Sequence, residues 1–178
     1  AIQHAHAKSV IHLDLKPSNI IVSGPEHTAV DDLQVKVVDF GVAAVTGTDT
    51  TVPTRVGATG GLPGTLAYMS PEQRRGQRDA IDVRSDVYAL GVVLFKLMTD
   101  ELPYPVEGLP YADAWRLLTE ELPRRPRALD PTVPFDVETI IRAATAEEPS
   151  RRYQSVAELA GDVRRYLADL PIAARPPS

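Results

Sequence analysis

Apolar residues recur at helical spacing through the second half of the chain and at strand spacing only near its start. Val87, Leu90, Val93, Leu94 and Leu97 spread over nearly every face of one run behind Asp86. That pattern predicts a buried central helix with Asp86 as its cap. A stripe of Ala114, Leu117 and Leu118 predicts a helix from Tyr111 to Glu121, and Val137, Ile140, Ile141 and Ala144 predict another after Asp136 that Pro149 ends. Ser155 and Glu158 form a capping-box pattern ahead of a last amphipathic helix with the stripe Val156, Leu159, Val163, Leu167 and Leu170.

Strand character is confined to Asn19–Val22 and Leu33–Val38, separated by a polar, turn-rich stretch, which predicts a small hairpin. Before it, Ala-Ile-Gln-His-Ala-His-Ala-Lys favours helix and has no cap in front of it, so the chain is expected to begin inside a helix and mid-domain. Residues 42–64 are rich in Thr, Gly and Pro without periodicity, which reads as a long loop. The expectation is one mainly α domain over 1–170, with 171–178 a tail that has nothing to pack. No internal repeat is evident.

Composition narrows the class. The 178 residues are 43% apolar and 24% charged, enough to bury a core, and a formal charge of −5 without a basic, aromatic-laced stripe disfavours a nucleic-acid partner. Arg124-Arg125-Pro-Arg127 is the densest basic patch and reads as a solvated loop. The absence of cysteine excludes thiol chemistry and disulfides and is compatible with a reducing compartment, for which the cytoplasm is the simplest expectation. Val87 to Met98 is the most apolar stretch, contains Lys96, and is too short to cross a membrane.

The chemistry sits on two motifs around the hairpin. Ile11-His12-Leu13-Asp14-Leu15-Lys16-Pro17-Ser18-Asn19 is followed by Asp39-Phe40-Gly41. Two acids and an amide at this spacing suit phosphoryl transfer, which needs a carboxylate to orient an attacking hydroxyl and hard oxygen ligands for magnesium. His4, His6 and His12 invite a metal or acid–base reading, but His4 and His6, two apart, point to different sides of a helix.

Together with Ser70-Pro71-Glu72 and Ser85-Asp86-Val87-Tyr88-Ala89-Leu90-Gly91, these motifs give a chain that resembles the C-terminal lobe of bacterial eukaryotic-like Ser/Thr protein kinases. The resemblance implies a helical lobe with a small hairpin carrying the catalytic and magnesium-binding loops, with ATP as co-substrate and a protein Ser/Thr hydroxyl as acceptor. It makes Asp14 the catalytic acid–base group, Lys16 a cation near the transferring phosphate, and Asn19 and Asp39 the Mg2+ ligands. Lys16 and Gly64-Thr65 ahead of Tyr68 point to Ser/Thr acceptors, with Thr65 in the catalytic set. His12 is implied to pack near Phe40, Glu72 to pair with Arg152, and Asp86 to accept backbone hydrogen bonds from the catalytic loop, although as a sequence feature it is equally a helix cap.

Two departures qualify the likeness. Leu13 stands where most members have the Arg that pairs with a phosphate on the activation loop, so Thr46, Thr48, Thr50, Thr51, Thr54 and Thr59 lack their main local guanidinium. The chain also holds no candidate for the glycine-rich loop, its partner Lys or the Glu that pairs with that Lys. Gly57 to Gly64 is glycine-rich but wrongly spaced. The missing N-terminal lobe is therefore an implied partner, and the segment alone is expected to be weakly active or inactive. A non-catalytic kinase-like binding module and a small-molecule phosphotransferase are the alternative readings. Lys16, Ser70-Pro-Glu72 and the helix from Ser85 argue against the second.

Overall fold

The structure is a computed structural model that describes residues 1–25, 29, 32–40, 44–45 and 63–175. The order is α1 (Ile2–His6), β1 (Val10–Ile11), β2 (Ile20–Ser23), β3 (Gln34–Val37), β4 (Ala44–Val45), α2 (Pro63–Leu66), α3 (Pro71–Arg74), α4 (Val83–Thr99), α5 (Tyr111–Glu120), α6 (Pro126–Leu129), α7 (Phe135–Ala144) and α8 (Val156–Leu167). The predicted hairpin is β2 and β3, antiparallel with Ile20 opposite Val37 and Ser23 opposite Gln34. A second two-stranded ribbon pairs Val10 with Val45 and Ile11 with Ala44.

α4 is the buried centre that its all-round apolar pattern predicts. Tyr88 and Val92 enter a cluster with Leu66, Tyr104, Val106 and Leu118, while Val87 packs with Ile140, Ala144 and Leu159. Phe95 joins Val137 and Ile141, and Ala89 meets Ile2 and Leu15. One helix thus supplies side chains to four clusters. α7 lies so close that a Cβ on Gly91 would come within 2.7 Å of Ala144 Cβ and 2.8 Å of Thr145 Cγ2.

Several expectations are corrected. The cap of α4 is Asp82, whose side chain accepts from Arg84 N–H, so the helix starts ahead of Asp86 and turns that carboxylate inward. Leu97 and Leu167 face solvent, at 76% and 74% exposed, and Leu170 is also exposed. Each lies at the last turn of its helix or beyond it, where no neighbouring element covers it, and Tyr166 packs instead. Ser155 caps α8 by accepting from Glu158 N–H, but Glu158 reaches back to Gln154 N–H and not to Ser155.

The tail is not without packing either. Ala173 and Ala174 donate their backbone N–H groups to Asp162 at 2.7 and 2.8 Å, and Ile172 and Ala174 lie against the α7–α8 cluster. The buried Asp162 carboxylate needs donors, and this segment supplies two of them together with the Tyr153 hydroxyl. Arg124 is likewise more than a solvated charge, because its Nη2 donates to Glu101 and to the Leu102 carbonyl.

Candidate active site

The segment from His12 to Asn19 is held from below before it presents any chemistry. Leu15 is buried against Ile2 and Ala89, and Leu13 adopts φ 65°, a left-handed conformation unfavourable for a branched side chain. Hydrogen bonds hold that conformation in place. Asp86, fully buried, accepts His12 N–H and Leu13 N–H, each at 2.9 Å, while Gln73 Nε2 donates to the Leu13 carbonyl at 2.9 Å.

Asp86 also bonds His6 Nε2 at 2.7 Å, so one carboxylate gathers donors from α1 and the loop onto the first turn of α4. His6 finds this partner eighty positions away, where local spacing gives no sign of it. Gln73 was also missed. Its capping-box role with Ser70 is visible in the sequence, since Ser70 N–H donates to Gln73 Oε1 and Ser70 Oγ accepts from Gln73 N–H, but nothing local reveals the amide reaching Leu13.

Above this base, Asp14 is half-buried and its carboxylate is gripped from both sides. Lys16 Nζ lies 2.8 Å from Oδ2 and 3.1 Å from Oδ1. Asn19 Nδ2 donates to the Asp14 carbonyl at 2.8 Å and to Oδ2 at 3.2 Å. Both partners of the Asn19 amide are acceptors, so its nitrogen must face Asp14, which leaves Oδ1 as a donor oxygen for a cation.

His12 brings the second motif to the first. Its Nε2 bonds the Val38 carbonyl at 3.0 Å, its ring meets Phe40 with centroids 4.5 Å apart, and Val38 N–H donates to the Asn19 carbonyl at 2.9 Å. Asp39 therefore sits between two residues fastened to the loop, at φ 66°, with an exposed carboxylate that makes no ion pair among the described residues. Asn19 Oδ1 and the Asp39 carboxylate are hard oxygen donors that fit Mg2+, which takes few protein ligands and completes its shell with phosphate and water. No group of three or more acidic or His side chains suited to a metal forms among the described residues.

Thr65 lies in α2, and its hydroxyl makes no hydrogen bond to Asp14 or Lys16 among the described residues. Gly41, the loop threonines from Thr46 to Thr59, and Gly57 to Gly61 fall outside the described residues.

Glu72 and Arg152 form the expected pair, bidentate at 2.8 Å on both branches, and Ser85 Oγ donates to Glu72 Oε1 at 2.7 Å. The remaining Arg152 donors reach the carbonyls of Ala146, Arg84 and Glu147, and the guanidinium lies 5.1 Å from the Tyr88 ring centroid. Burial pushes the Glu72 carboxyl up, but the hydrogen bonds from Arg152 and Ser85 and the Arg152 charge outweigh it and hold the group down at about 2.

A sequence profile described as "Protein kinase domain" matches residues 1–159. The chain belongs to the protein kinase family. The family's curated members include serine/threonine-protein kinase PknB of Mycobacterium leprae, to which the chain is 35% identical over 171 residues, 96% of this chain and 25% of that protein. PrkC of Bacillus subtilis is 37% identical over 164 residues, covering 92% of this chain and 23% of its own length. A probable serine/threonine-protein kinase of Corynebacterium efficiens is 38% identical over 167 residues, with the same shares of 92% and 23%. The chain thus spans about a quarter of the length of the curated relatives it matches.

Proposed function

We propose that this chain is the C-terminal lobe of a Ser/Thr protein kinase. In the intact enzyme it takes the protein acceptor and places its hydroxyl for transfer of the ATP γ-phosphoryl group. The observation that carries this reading is the Asp14 carboxylate held between Lys16 and Asn19, with Asp39 fastened alongside by His12. Asp14 accepts the hydrogen bond of the acceptor hydroxyl, orients its oxygen for in-line attack and receives its proton. Lys16, already beside Asp14, places positive charge where the phosphoryl oxygens develop negative charge.

Asn19 and Asp39 would hold Mg2+, whose charge would offset that of the ATP phosphates. Asn19 also locks Asp14 through both of its amide hydrogens, so one residue serves the metal and the acid–base group. Asp86, His6 and Gln73 are positioning residues: they fix the backbone on which Asp14 stands and touch none of the reacting atoms.

The nucleotide clamp belongs to an N-terminal lobe outside this chain. In support, Val22 and Val35, cross-strand partners on β2 and β3, are 56% and 59% exposed, and neighbouring Ile21 is exposed too. Apolar hairpin side chains of this kind suit a covering partner. Without that lobe the positioning that supplies most of the rate is incomplete, so the segment alone is weakly active or inactive. Its setting is proposed to be the cytoplasm, where ATP is present, and no helix among the described residues is long and apolar enough to cross a membrane.

The test is magnesium-dependent transfer of phosphate from ATP to a generic protein substrate, measured for the chain, for a form extended upstream of Ala1, and for that form carrying Asp14→Asn. Loss of a positioned acid–base group is expected to lower transfer about a hundredfold or more. Unchanged transfer in the variant would assign the chemistry elsewhere.

A further inference from the structure

Beside α8, an open cavity of about 490 Å³ is lined by the small residues Ala143, Gly161, Ala173 and Ala174 and by Arg151, Arg165 and Arg175, together with Glu158 and Asp162. The three arginines come from three separate places: a 3-10 turn over Pro149–Arg151, the helix α8, and the segment after it. None has a carboxylate within ion-pair distance among the described residues. Arg165 makes one long bond, 3.4 Å, to the Pro171 carbonyl and feels Asp162 only at longer range.

Asp162 and Glu158 line the same concavity and keep their negative charge, each bound to uncharged donors. Asp162 accepts from the Tyr153 hydroxyl and from two backbone N–H groups, and Glu158 accepts from Gln154 N–H. Arg152, at the back, is spent on Glu72 and three carbonyls. Against those two carboxylates stand three guanidinium groups without an ion-pair partner among the described residues, which leaves the concavity with a net positive charge.

Gly161 is a further lining residue without a side chain. It lies inside α8, where glycine weakens a helix, and a Cβ built there meets nothing within 4 Å. No neighbour demands glycine at this position.

We propose that this cavity binds a phosphate-class oxyanion, either inorganic phosphate or the phosphate monoester of a modified side chain, through Arg151, Arg165 and Arg175. Guanidinium forks match the paired oxygens of a tetrahedral phosphate, and the small lining residues leave room for the group. The site is separate from Asp14 and Lys16, so its occupancy does not depend on phosphoryl transfer by the chain.

The experiment follows the backbone amides of Gly161 and Ala174 by NMR in the full chain while inorganic phosphate, and separately O-phosphothreonine, is added at constant ionic strength. Saturable shifts with either ligand are expected, and tighter binding of one arm identifies the source of the phosphate. Arg151→Gln with Arg165→Gln should weaken the apparent affinity at least about tenfold, and Gly161→Leu should abolish the shifts by filling the cavity. Gly161→Ala, which raises helix propensity, controls for folding, and Lys16→Ala should leave the shifts unchanged because the candidate active site is elsewhere. Absence of saturation, equal shifts with chloride, or shifts that survive both the double-arginine and Gly161→Leu substitutions overturn the proposal.

Discussion

Asp86 carries the backbone of Leu13 on its carboxylate, with Leu13 N–H donating to Oδ1 at 2.9 Å across 73 positions of sequence. The same group holds His12 N–H and His6 Nε2, so the conformation that points Asp14 outward is set by α4 and not by the loop itself. A buried N–H left without an acceptor costs about 1–3 kcal/mol. Asp86→Ala orphans two of them and the His6 ring, so it is expected to lower stability by about 3–5 kcal/mol in denaturant unfolding. Amide exchange at His12 and Leu13 should rise sharply. A loss below about 1 kcal/mol would show that the loop holds its own shape.

The Glu72–Arg152 pair makes stability depend on acid. Glu72 is depressed from 4.5 to about 2 in the folded protein, so the unfolded chain binds more protons between those values. Its contribution, about 3 kcal/mol by linkage, is fully present above about pH 4.5 and is lost as the pH falls toward 2. Denaturant midpoints recorded from pH 6 down to pH 2.5 should trace that loss.

Arg152→Met should reverse the slope that Glu72 contributes. With the guanidinium gone, burial, the largest influence on Glu72, is opposed only by the Ser85 hydroxyl and a backbone hydrogen bond, so its folded pKa is expected to rise and this contribution to grow as pH falls through the raised value. At pH 7 the variant is expected to be less stable by about 3–5 kcal/mol, the cost of stranding a buried charge. An unchanged acid slope in Arg152→Met would mean that the pair does not govern Glu72.

Gly91 is required by a close helix crossing. Its substitution by Ala drives a methyl group against Ala144 and Thr145, neither of which can rotate away as a long side chain could. Overpacking of this kind costs about 1–3 kcal/mol, readable as a lowered thermal midpoint. Gly161→Ala, on the open side of α8, should instead stabilise by up to about 1 kcal/mol, and the opposite signs of the two substitutions form the check.

Phosphorylation of the threonines between Thr46 and Thr59 is expected to have little activating effect. Leu13 offers no guanidinium to a phosphate, and its backbone is already held by Asp86 and Gln73. Turnover of the extended form should change little when these threonines carry phosphate, and a large rise would refute the prediction.

Local pattern alone was enough to read the long helices and one hairpin, but not the β1–β4 ribbon, whose β4 lies in the stretch read as a loop, nor the short helices α2, α3 and α6. The helices α4, α5, α7 and α8 and the β2–β3 hairpin follow from periodicity, because burying one stripe or one face constrains residues a few positions apart. The Asp14, Lys16 and Asn19 cluster was legible for the same reason: all three lie within six residues of each other and meet directly.

Contacts made across the fold were another matter. Whether Asp86 capped a helix or carried a loop depended on where α4 begins, and Asp82 took the cap. His6 and Gln73 found partners eighty and sixty positions away, the exposed Leu97 and Leu167 found none to cover them, and Asp162 drew the presumed tail into the structure. Periodicity carries no information about which distant donor will satisfy a buried carboxylate. That choice is made when the helices pack and water is excluded, because every buried polar group must then find its hydrogen bond within the protein.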